Sequence, residues 1–187
     1  KRTAATAVCF HPGGREFAVG TSCGTIQVWN RARVSGRPER AVYDAHGVDK
    51  PVHSLTYNVD GSTLASRSAE DDTCKVWNAR KLSKSSLPIQ TCTGLPSVHE
   101  ASNAAFSADG RLLCAGMSEY REVEGRRKEI GSLKLYAVQS AGSTSADTSV
   151  EPLLTLELEG DTGPVVVKWH AKLNQIFVGC SDGTTII

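Results

Sequence analysis

Short apolar or alternating segments, each bounded by Gly, Pro, Asn, Asp or Ser, follow one another along the chain. Segments of this length and pattern predict β-strands joined by tight turns. The clearest of them occupy residues 8–14, 17–20, 23–29, 55–61, 64–66 and 71–77. No window sustains the i, i+3, i+4, i+7 apolar spacing of an amphipathic helix, so the pattern predicts an all-β protein.

Aromatic residues fall into two columns of a repeating unit. One column contains Phe10, Tyr57, Phe106 and Trp169, and the other contains Trp29, Trp77 and Tyr136. Intervals of 47, 49 and 63 residues separate the members of the first column. A unit of four short antiparallel strands in roughly 40–45 residues is typical of a β-propeller blade. The repeat therefore predicts successive blades arranged around an axis.

The repeat predicts about four blades of four antiparallel strands, the last of them incomplete. The blades are expected at residues 1–44, 45–93, 94–158 and 159–187. Two insertions interrupt the pattern, a mixed-charge stretch at residues 118–128 and a small polar stretch at residues 139–149. We expect both to be mobile turn extensions, because the second in particular has too few apolar side chains to order itself.

The segments resemble the WD40 repeat, and the second blade matches it best. Residues 71–77 read D-D-T-C-K-V-W, which is close to the D-x-T-x-K-V-W of that family. The resemblance implies a hydrogen-bonded chain within this blade, formed by His46, Ser66, Asp71 and Trp77. Such buried polar groups must satisfy one another or cost several kcal/mol.

The other blades lack part of this set, so packing is expected to hold them. Cys23 stands where blade one should have its Asp, and Ile130 stands there in blade three. Blade four has Asp182 but no His at the expected place.

Three short stretches carry a narrower resemblance. Residues 75–80 (KVWNAR), 94–96 (GLP) and 169–176 (WHAKLNQI) are similar to the WD repeat-containing protein 70 family, also named gastrulation-defective-like. The segment 118–128 departs from that family's pattern. The resemblance implies a nuclear protein with a propeller of roughly seven blades. We therefore expect this chain to be a partial propeller, supplying three blades and most of a fourth.

The stretch Trp77-Asn78-Ala79-Arg80 is the first candidate for a partner contact. It resembles the W-D-x-R box by which WD40 proteins engage the adaptor of cullin-4 ubiquitin ligases, with Asn78 in place of Asp. In this interpretation Arg80 projects from the end of a strand and makes charge-assisted hydrogen bonds to the adaptor. The alternative is that Trp77 is packed core and Arg80 a solvated turn residue.

A basic loop after the third strand of blade one is the second candidate. Arg31, Arg33 and Arg37, together with Arg40, make this loop basic and could contact phosphates, and such binding would depend strongly on salt. The alternative is a solvated connection, because nearby acidic residues dilute the charge and no stacking aromatics are interleaved.

Composition mainly excludes classes of protein. With 21 basic and 20 acidic residues the net charge is +1, which gives no argument for nucleic acid or a membrane surface. The longest apolar run is far short of the ~20 residues that a membrane helix needs. The six cysteines form no C-x-x-C pair and are expected to be reduced core thiols of an intracellular protein. His11 and His170 are expected to cap turns, and no metal site is predicted.

No catalytic motif is present in the sequence. It has no G-x-S-x-G, Walker loop or H-E-x-x-H, so no catalytic residue, cofactor or small-molecule substrate is expected. Asp71 and Asp72 are adjacent in a tight turn, where their carboxylates point in different directions. An enzymatic propeller is disfavoured, because the missing blades would supply much of its central channel.

A non-catalytic protein–protein interaction scaffold fits these observations, since propellers carry their function on surface loops. The family resemblance implies the nucleus, chromatin and DNA-damage signalling, and a further expectation is a substrate receptor of a cullin-4 ubiquitin ligase. The alternative is a nucleic-acid-associated WD40 subunit of an RNA-processing complex.

Overall fold

The structure, a computed structural model, describes residues 3–34, 36–140 and 148–187. Over these residues the chain consists of strands, turns and one 3-10 turn at Ala79–Lys81. None of the described residues belongs to a helix that is long and apolar enough to cross a membrane.

The strands form four sheets that follow one another along the chain. Blade one consists of β1 (Ala5–Phe10), β2 (Glu16–Thr21), β3 (Ile26–Asn30) and β4 (Arg40–Val42). Blade two consists of β5 (Ser54–Tyr57), β6 (Thr63–Ser68), β7 (Thr73–Asn78) and β8 (Gln90–Cys92).

The third and fourth sheets follow the same order with two variations. Blade three consists of β9 (Ala104–Phe106), β10 (Leu112–Val123), β11 (Arg126–Ala137) and β13 (Leu154–Glu157). A short strand, β12 (Ser149–Val150), leaves blade three and pairs with β8 of blade two. Blade four consists of β14 (Pro164–Trp169), β15 (Ile176–Cys180) and β16 (Thr185–Ile186).

The aromatic columns occupy the same register position in every sheet. Phe10, Tyr57, Phe106 and Trp169 each end the first strand of a blade and pair with Phe17, Leu64, Leu113 and Ile176 of the second strand. Trp29, Trp77 and Tyr136 lie opposite three of those same second-strand residues. The all-β propeller fold predicted from the spacing is confirmed.

The blades stack face to face, with the first strand of each beside the first strand of the next. Three apolar clusters fill the spaces between consecutive sheets. Side chains alternate between the two faces of a strand, so a blade with a neighbour on each side buries both faces. In blade two every residue of β6 is buried. In blade one the outer face is uncovered, and Val8 and Phe10 are 64% and 66% exposed.

Residues 118–128 form a paired hairpin, so their prediction as a loop is wrong. The ladder between β10 and β11 continues without a break from Leu112↔Ala137 to Val123↔Arg126. Glu124 and Gly125 make the two-residue turn with φ of 53° and 74°, and positive φ at both positions matches the twist of the flanking strands. Across the ladder Glu122 faces Arg127, and Arg127 Cζ lies 4.0 Å from the centre of the Tyr120 ring, a cation–π contact within the arm.

The predicted insertion at residues 139–149 is attached to blade two at both ends. Gln139 N–H donates to Gln90 Oε1 at 2.9 Å, and Thr91 N–H donates to the Thr148 carbonyl at 2.6 Å. β12 then pairs in parallel with β8, which makes blade two a five-stranded sheet. The ends of this stretch are therefore ordered by strand pairing, which corrects the expectation of mobility for them; residues 141–147 lie outside the described part.

Candidate interaction site

The structure brings His46, Ser66, Asp71 and Trp77 into one chain of hydrogen bonds inside blade two. Trp77 Nε1–H donates to Ser66 Oγ at 2.8 Å, and Ser66 Oγ lies 2.8 Å from His46 Nε2. His46 Nδ1 lies 2.9 Å from Asp71 Oδ2. Asp71 Oδ1 also accepts from Thr73 N–H and Thr73 Oγ1–H at 3.1 and 2.8 Å. These hydrogen bonds join the loop before β5 to β6, to β7 and to the turn between those two strands.

The His46 imidazole in these hydrogen bonds is neutral, because burial disfavours its charged form. If His46 Nδ1–H donates to Asp71, then Nε2 is the acceptor for the Ser66 hydroxyl. Burial lowers the pKa of His46 and outweighs the opposing effect of Asp71. Burial raises the pKa of Asp71, but hydrogen bonds from His46 and Thr73 prevail and the net pKa lies below 3.8. A neutral His46 beside an ionised Asp71 is thus the stable state near neutral pH.

Ser66, His46 and Asp71 have the order of a nucleophile, base and carboxylate. A nucleophile must reach a substrate, whereas Ser66 is 1% exposed and His46 is 2% exposed. Ser66 Oγ also accepts the indole N–H of Trp77. The arrangement therefore serves the packing of the blade.

The equivalent turn keeps an aspartate in blade four and has a cysteine in blade one. Asp182 Oδ1 in blade four accepts from Thr184 N–H and Oγ1–H at 2.9 and 2.7 Å, as Asp71 does in blade two. In blade one Cys23 Sγ lies 3.3 Å from Thr21 Oγ1 and 3.5 Å from Thr25 Oγ1. These hydrogen bonds lower the pKa of Cys23.

Asn78 and Arg80 lie where β7 ends. Asn78 Oδ1 accepts from the backbone N–H of Arg80 and of Lys81 at 3.1 and 3.2 Å, which caps the 3-10 turn. Ala79 within the turn is buried, while Arg80 and Lys81 are exposed. A capping Asn thus holds Arg80 at the surface directly after the buried Trp77.

The arginines of the blade-one loop are exposed and lie in different places. Arg31 and Arg33 follow β3 in a turn in which Arg31 N–H donates to the Arg15 carbonyl at 2.8 Å. Arg31 and Arg15 line one cavity, whereas Arg37 lines another together with Arg40 and Lys84. The structure does not gather Arg31, Arg33 and Arg37 into one cavity.

A cavity of about 490 Å³ lies between blades one and two. Its lining includes Arg15, Arg40 and Arg80, together with His11 and Glu16. Arg15 was missed as a site residue, and Arg40 was expected only as part of the basic loop, because the contact between the two blades is not local in sequence.

His11 and His170 both cap turns between the first two strands of their blades. His11 Nδ1 accepts from Gly13 N–H at 2.9 Å, and His170 Nδ1 accepts from Leu173 N–H at 2.9 Å. His11 Nε2–H donates across to the Gly61 carbonyl at 3.2 Å, so His11 also joins blade one to blade two. Within the described residues no group of three His, Cys, Asp or Glu side chains could hold a metal ion.

A buried carboxylate between blades three and four was also missed. Glu129 is 6% exposed and lies at the base of the hairpin. His99 Nε2–H donates to Glu129 Oε1 at 2.8 Å, and Ser181 Oγ–H donates to Glu129 Oε2 at 2.7 Å. In the sequence Glu129 belongs to a run of mixed charges, which is typical of a solvated loop, and its partners are distant along the chain.

Replacing Gly163 with alanine is expected to destabilise this interface. A Cβ at Gly163 would lie 2.6 Å from Ser118 Cβ and closer still to Glu129 Oε1, so the buried carboxylate would have to move. We expect the free energy of unfolding to fall by about 1–3 kcal/mol in chemical denaturation. Gly179→Ala is the control, because its nearest neighbours would be 3.9 Å away. Equal stability of the two variants would contradict the tight packing of Glu129.

Arg67 is a buried cation between blades two and three. It is 1% exposed, and its Nη1 donates to the Gly116 carbonyl while Nη2 donates to the Leu95 carbonyl at 3.1 Å. Burial lowers the pKa of this guanidinium. Arg67 thus ties β6 to β10 and to the segment that joins the two blades.

Comparisons with known proteins agree with this geometry. The family model described as "WD domain, G-beta repeat" matches residues 2–30 and 37–78. Gastrulation defective protein 1 homolog of Drosophila melanogaster is 31% identical over 183 residues, covering 98% of this chain and 25% of that protein. WD repeat-containing protein 70 of Xenopus tropicalis is 29% identical over 187 residues, covering 98% of this chain and 26% of that protein. The chain spans about a quarter of the length of these relatives.

A solved structure shows the same fold. The β-propeller domain of Cps50 (Swd1) from Myceliophteria thermophila superposes with a TM-score of 0.67 at 18% identity, over 98% of this chain and 52% of that one. At this identity the likeness concerns the fold alone. The chain therefore contains WD40 repeats, adopts a β-propeller fold and is similar to WD repeat-containing protein 70.

Proposed function

We propose that this chain is a non-catalytic scaffold of a nuclear protein complex in chromatin and DNA-damage signalling, and that Arg80 contacts the adaptor of a cullin-4 ubiquitin ligase. WD40 propellers typically bind other proteins, which supports the scaffold. The nuclear setting and the ligase are proposals that rest on the family resemblance. In this role the chain would act as a substrate receptor.

The observation that carries the ligase proposal is the capped turn after β7. Asn78 holds the backbone of residues 79–81 in a fixed conformation, while the Arg80 side chain is exposed. A fixed backbone reduces the entropy lost when a side chain binds. Arginine can make two parallel hydrogen bonds to a carboxylate, so it suits a charged contact with a partner.

Reversing the charge of Arg80 should weaken capture of the purified adaptor. We expect Arg80→Glu to lower the affinity at least ~10-fold, because a charge-assisted contact becomes a repulsion. Affinity can be measured by surface plasmon resonance with the adaptor immobilised. Lys81→Glu is the matched control, since it changes the charge equally on the adjacent exposed residue of the same turn. Unchanged binding of Arg80→Glu would remove the ligase role and leave the scaffold.

The alternative role, a nucleic-acid-associated subunit, has weaker support. Arg31, Arg33 and Arg37 are exposed, yet they are spread over the surface and the net charge of the chain is only +1. A binding surface for nucleic acid usually shows a concentrated basic field. We therefore favour the protein partner.

A further inference from the structure

We propose that the cavity between blades one and two binds an acidic side chain of a protein partner through Arg15, Arg40 and Arg80. This inference deepens the proposed scaffold function by naming the chemistry of one partner. It does not depend on the identity of the ligase adaptor.

The charge of the cavity favours an anion. Three guanidinium groups from two blades line a space of about 490 Å³, against one carboxylate in the lining, that of Glu16. Glu16 and Arg40 form an ion pair, with Arg40 Nη2 2.5 Å from Glu16 Oε2, so the excess positive charge of the lining comes from Arg15 and Arg80. Asp60 lies close enough to interact with Arg80, but hydrogen bonds from Ser62 to its carboxylate are the stronger influence on it. Together these groups leave the cavity with more positive than negative charge.

Arg40 also carries a donor that is not satisfied. Its Nε is buried and has no hydrogen-bond partner, although the same guanidinium pairs with Glu16 through Nη2. A buried donor without an acceptor costs free energy, and because Arg40 lines the cavity, a shift of its side chain towards a bound carboxylate would give Nε an acceptor. The unpaired Nε of Arg40 supports the proposal separately from the excess positive charge of the cavity.

The walls of the cavity are already in place. His11 donates to the Gly61 carbonyl across the blades, and its ring meets the Tyr57 ring edge-on at 5.0 Å between centroids. Gly13, Gly61 and Ala79 supply small surfaces to the lining, which leaves room for an inserted side chain. A preformed site loses little entropy on binding.

A carboxylate of a protein is the occupant that fits best. Guanidinium forks match carboxylates in two-point hydrogen bonds, and one cavity holds one such group. The aromatic stacking by which single-stranded nucleic acids are bound is missing from this lining, where His11 is the ring present. The net charge of +1 also gives no long-range field that would gather a polyanion.

The test is direct binding of a fluorescein-labelled peptide of sequence Gly-Asp-Glu-Asp-Glu-Gly to the full chain, measured by fluorescence polarisation. We expect binding that Arg15→Ala and Arg80→Ala each weaken at least five-fold, while a Gly-Asn-Gln-Asn-Gln-Gly peptide does not bind. Arg33→Ala is the matched control, since it removes an exposed arginine of the neighbouring loop outside this lining, and it should bind like the wild type.

Three outcomes would overturn the proposal. Equal binding by all variants would exclude the cavity, and an equal loss in Arg33→Ala would show diffuse attraction instead of a site. Displacement of the peptide by millimolar inorganic phosphate or by single-stranded DNA at lower concentration than by free peptide would assign the cavity to phosphate. Loss of peptide binding in Arg15→Ala with intact adaptor capture would support the cavity independently of the ligase role. Failed adaptor capture with intact peptide binding would likewise remove only the ligase.

Discussion

Replacing Arg67 with alanine is expected to lower the free energy of unfolding by about 3–5 kcal/mol. The carbonyls of Gly116 and Leu95 would lose their donors inside the interface between blades two and three, and the space of a long side chain would be left empty. Chemical denaturation with urea measures this change, and Arg111→Ala is the control. The Arg111 side chain is 85% exposed, so its loss should change stability by less than about 0.5 kcal/mol.

A second variant, Arg67→Met, separates the two causes. Methionine fills most of the space but donates no hydrogen bond, so the expected loss is about 1–3 kcal/mol, smaller than for alanine. The opposing effect is the cost of burying a guanidinium, which the lowered pKa of Arg67 reflects. A methionine variant more stable than the wild type would mean that this cost exceeds the stabilisation from the two hydrogen bonds. The interpretation that Arg67 stabilises the interface between blades two and three would then be wrong.

The second large effect is expected at Asp71. Asp71→Ala removes the acceptor of His46 and of Thr73, so two buried or half-buried polar groups lose their partner. We expect a loss of about 2–4 kcal/mol in unfolding free energy, measured by urea denaturation at neutral pH. Asp182→Ala is the matched control, because Asp182 accepts the same two hydrogen bonds from Thr184 in the equivalent turn of blade four, at an exposed position. Equal losses would show that the turn alone, and not the buried chain, matters.

The hydrogen bond between His46 and Asp71 also predicts how the stability of the protein depends on pH. The folded-state pKa of His46 lies below its ordinary value of 6.5, because the side chain is buried, so the unfolded chain binds this proton more readily. The contribution of His46 to the free energy of unfolding is fully present above about pH 6.5. It is lost as the pH falls through the folded-state pKa of His46. The folded-state pKa of Asp71 lies below 3.8, so its contribution is lost in the same direction but at lower pH. Urea midpoints from pH 8 to pH 3 should decline in the wild type, and less steeply in His46→Gln.

The repeat could be predicted from the sequence because it depends on local patterns. The aromatic residues mark the ends of strands, and turn residues recur at fixed distances from them, so Trp77 and Tyr136 could be aligned before their surroundings were known. The hydrogen-bonded chain in blade two was implied by the resemblance of that blade to the WD40 repeat. His46, Ser66, Asp71 and Trp77 lie in a window of a single repeat, and their contacts are set by one sheet.

The contacts between blades could not be predicted in this way. Arg67 lies between two serines in a strand and carries no mark of burial in the sequence, yet the next blade covers it. Glu129 is one charge among many until the hairpin folds and brings it to Ser181. The hairpin itself was missed because its charged residues suggested solvation, whereas the Glu-Gly turn supports pairing.

The path of the chain around β12 has a consequence for the way the protein comes apart. The backbone leaves blade three after β11, adds β12 to the outer edge of blade two, and returns to blade three as β13. Separating blade three from blade two would therefore remove the edge strand β12 from the sheet of blade two. Because blade three contributes a strand to the sheet of blade two, these two blades should unfold in a single cooperative step. They are not independent, interchangeable repeats.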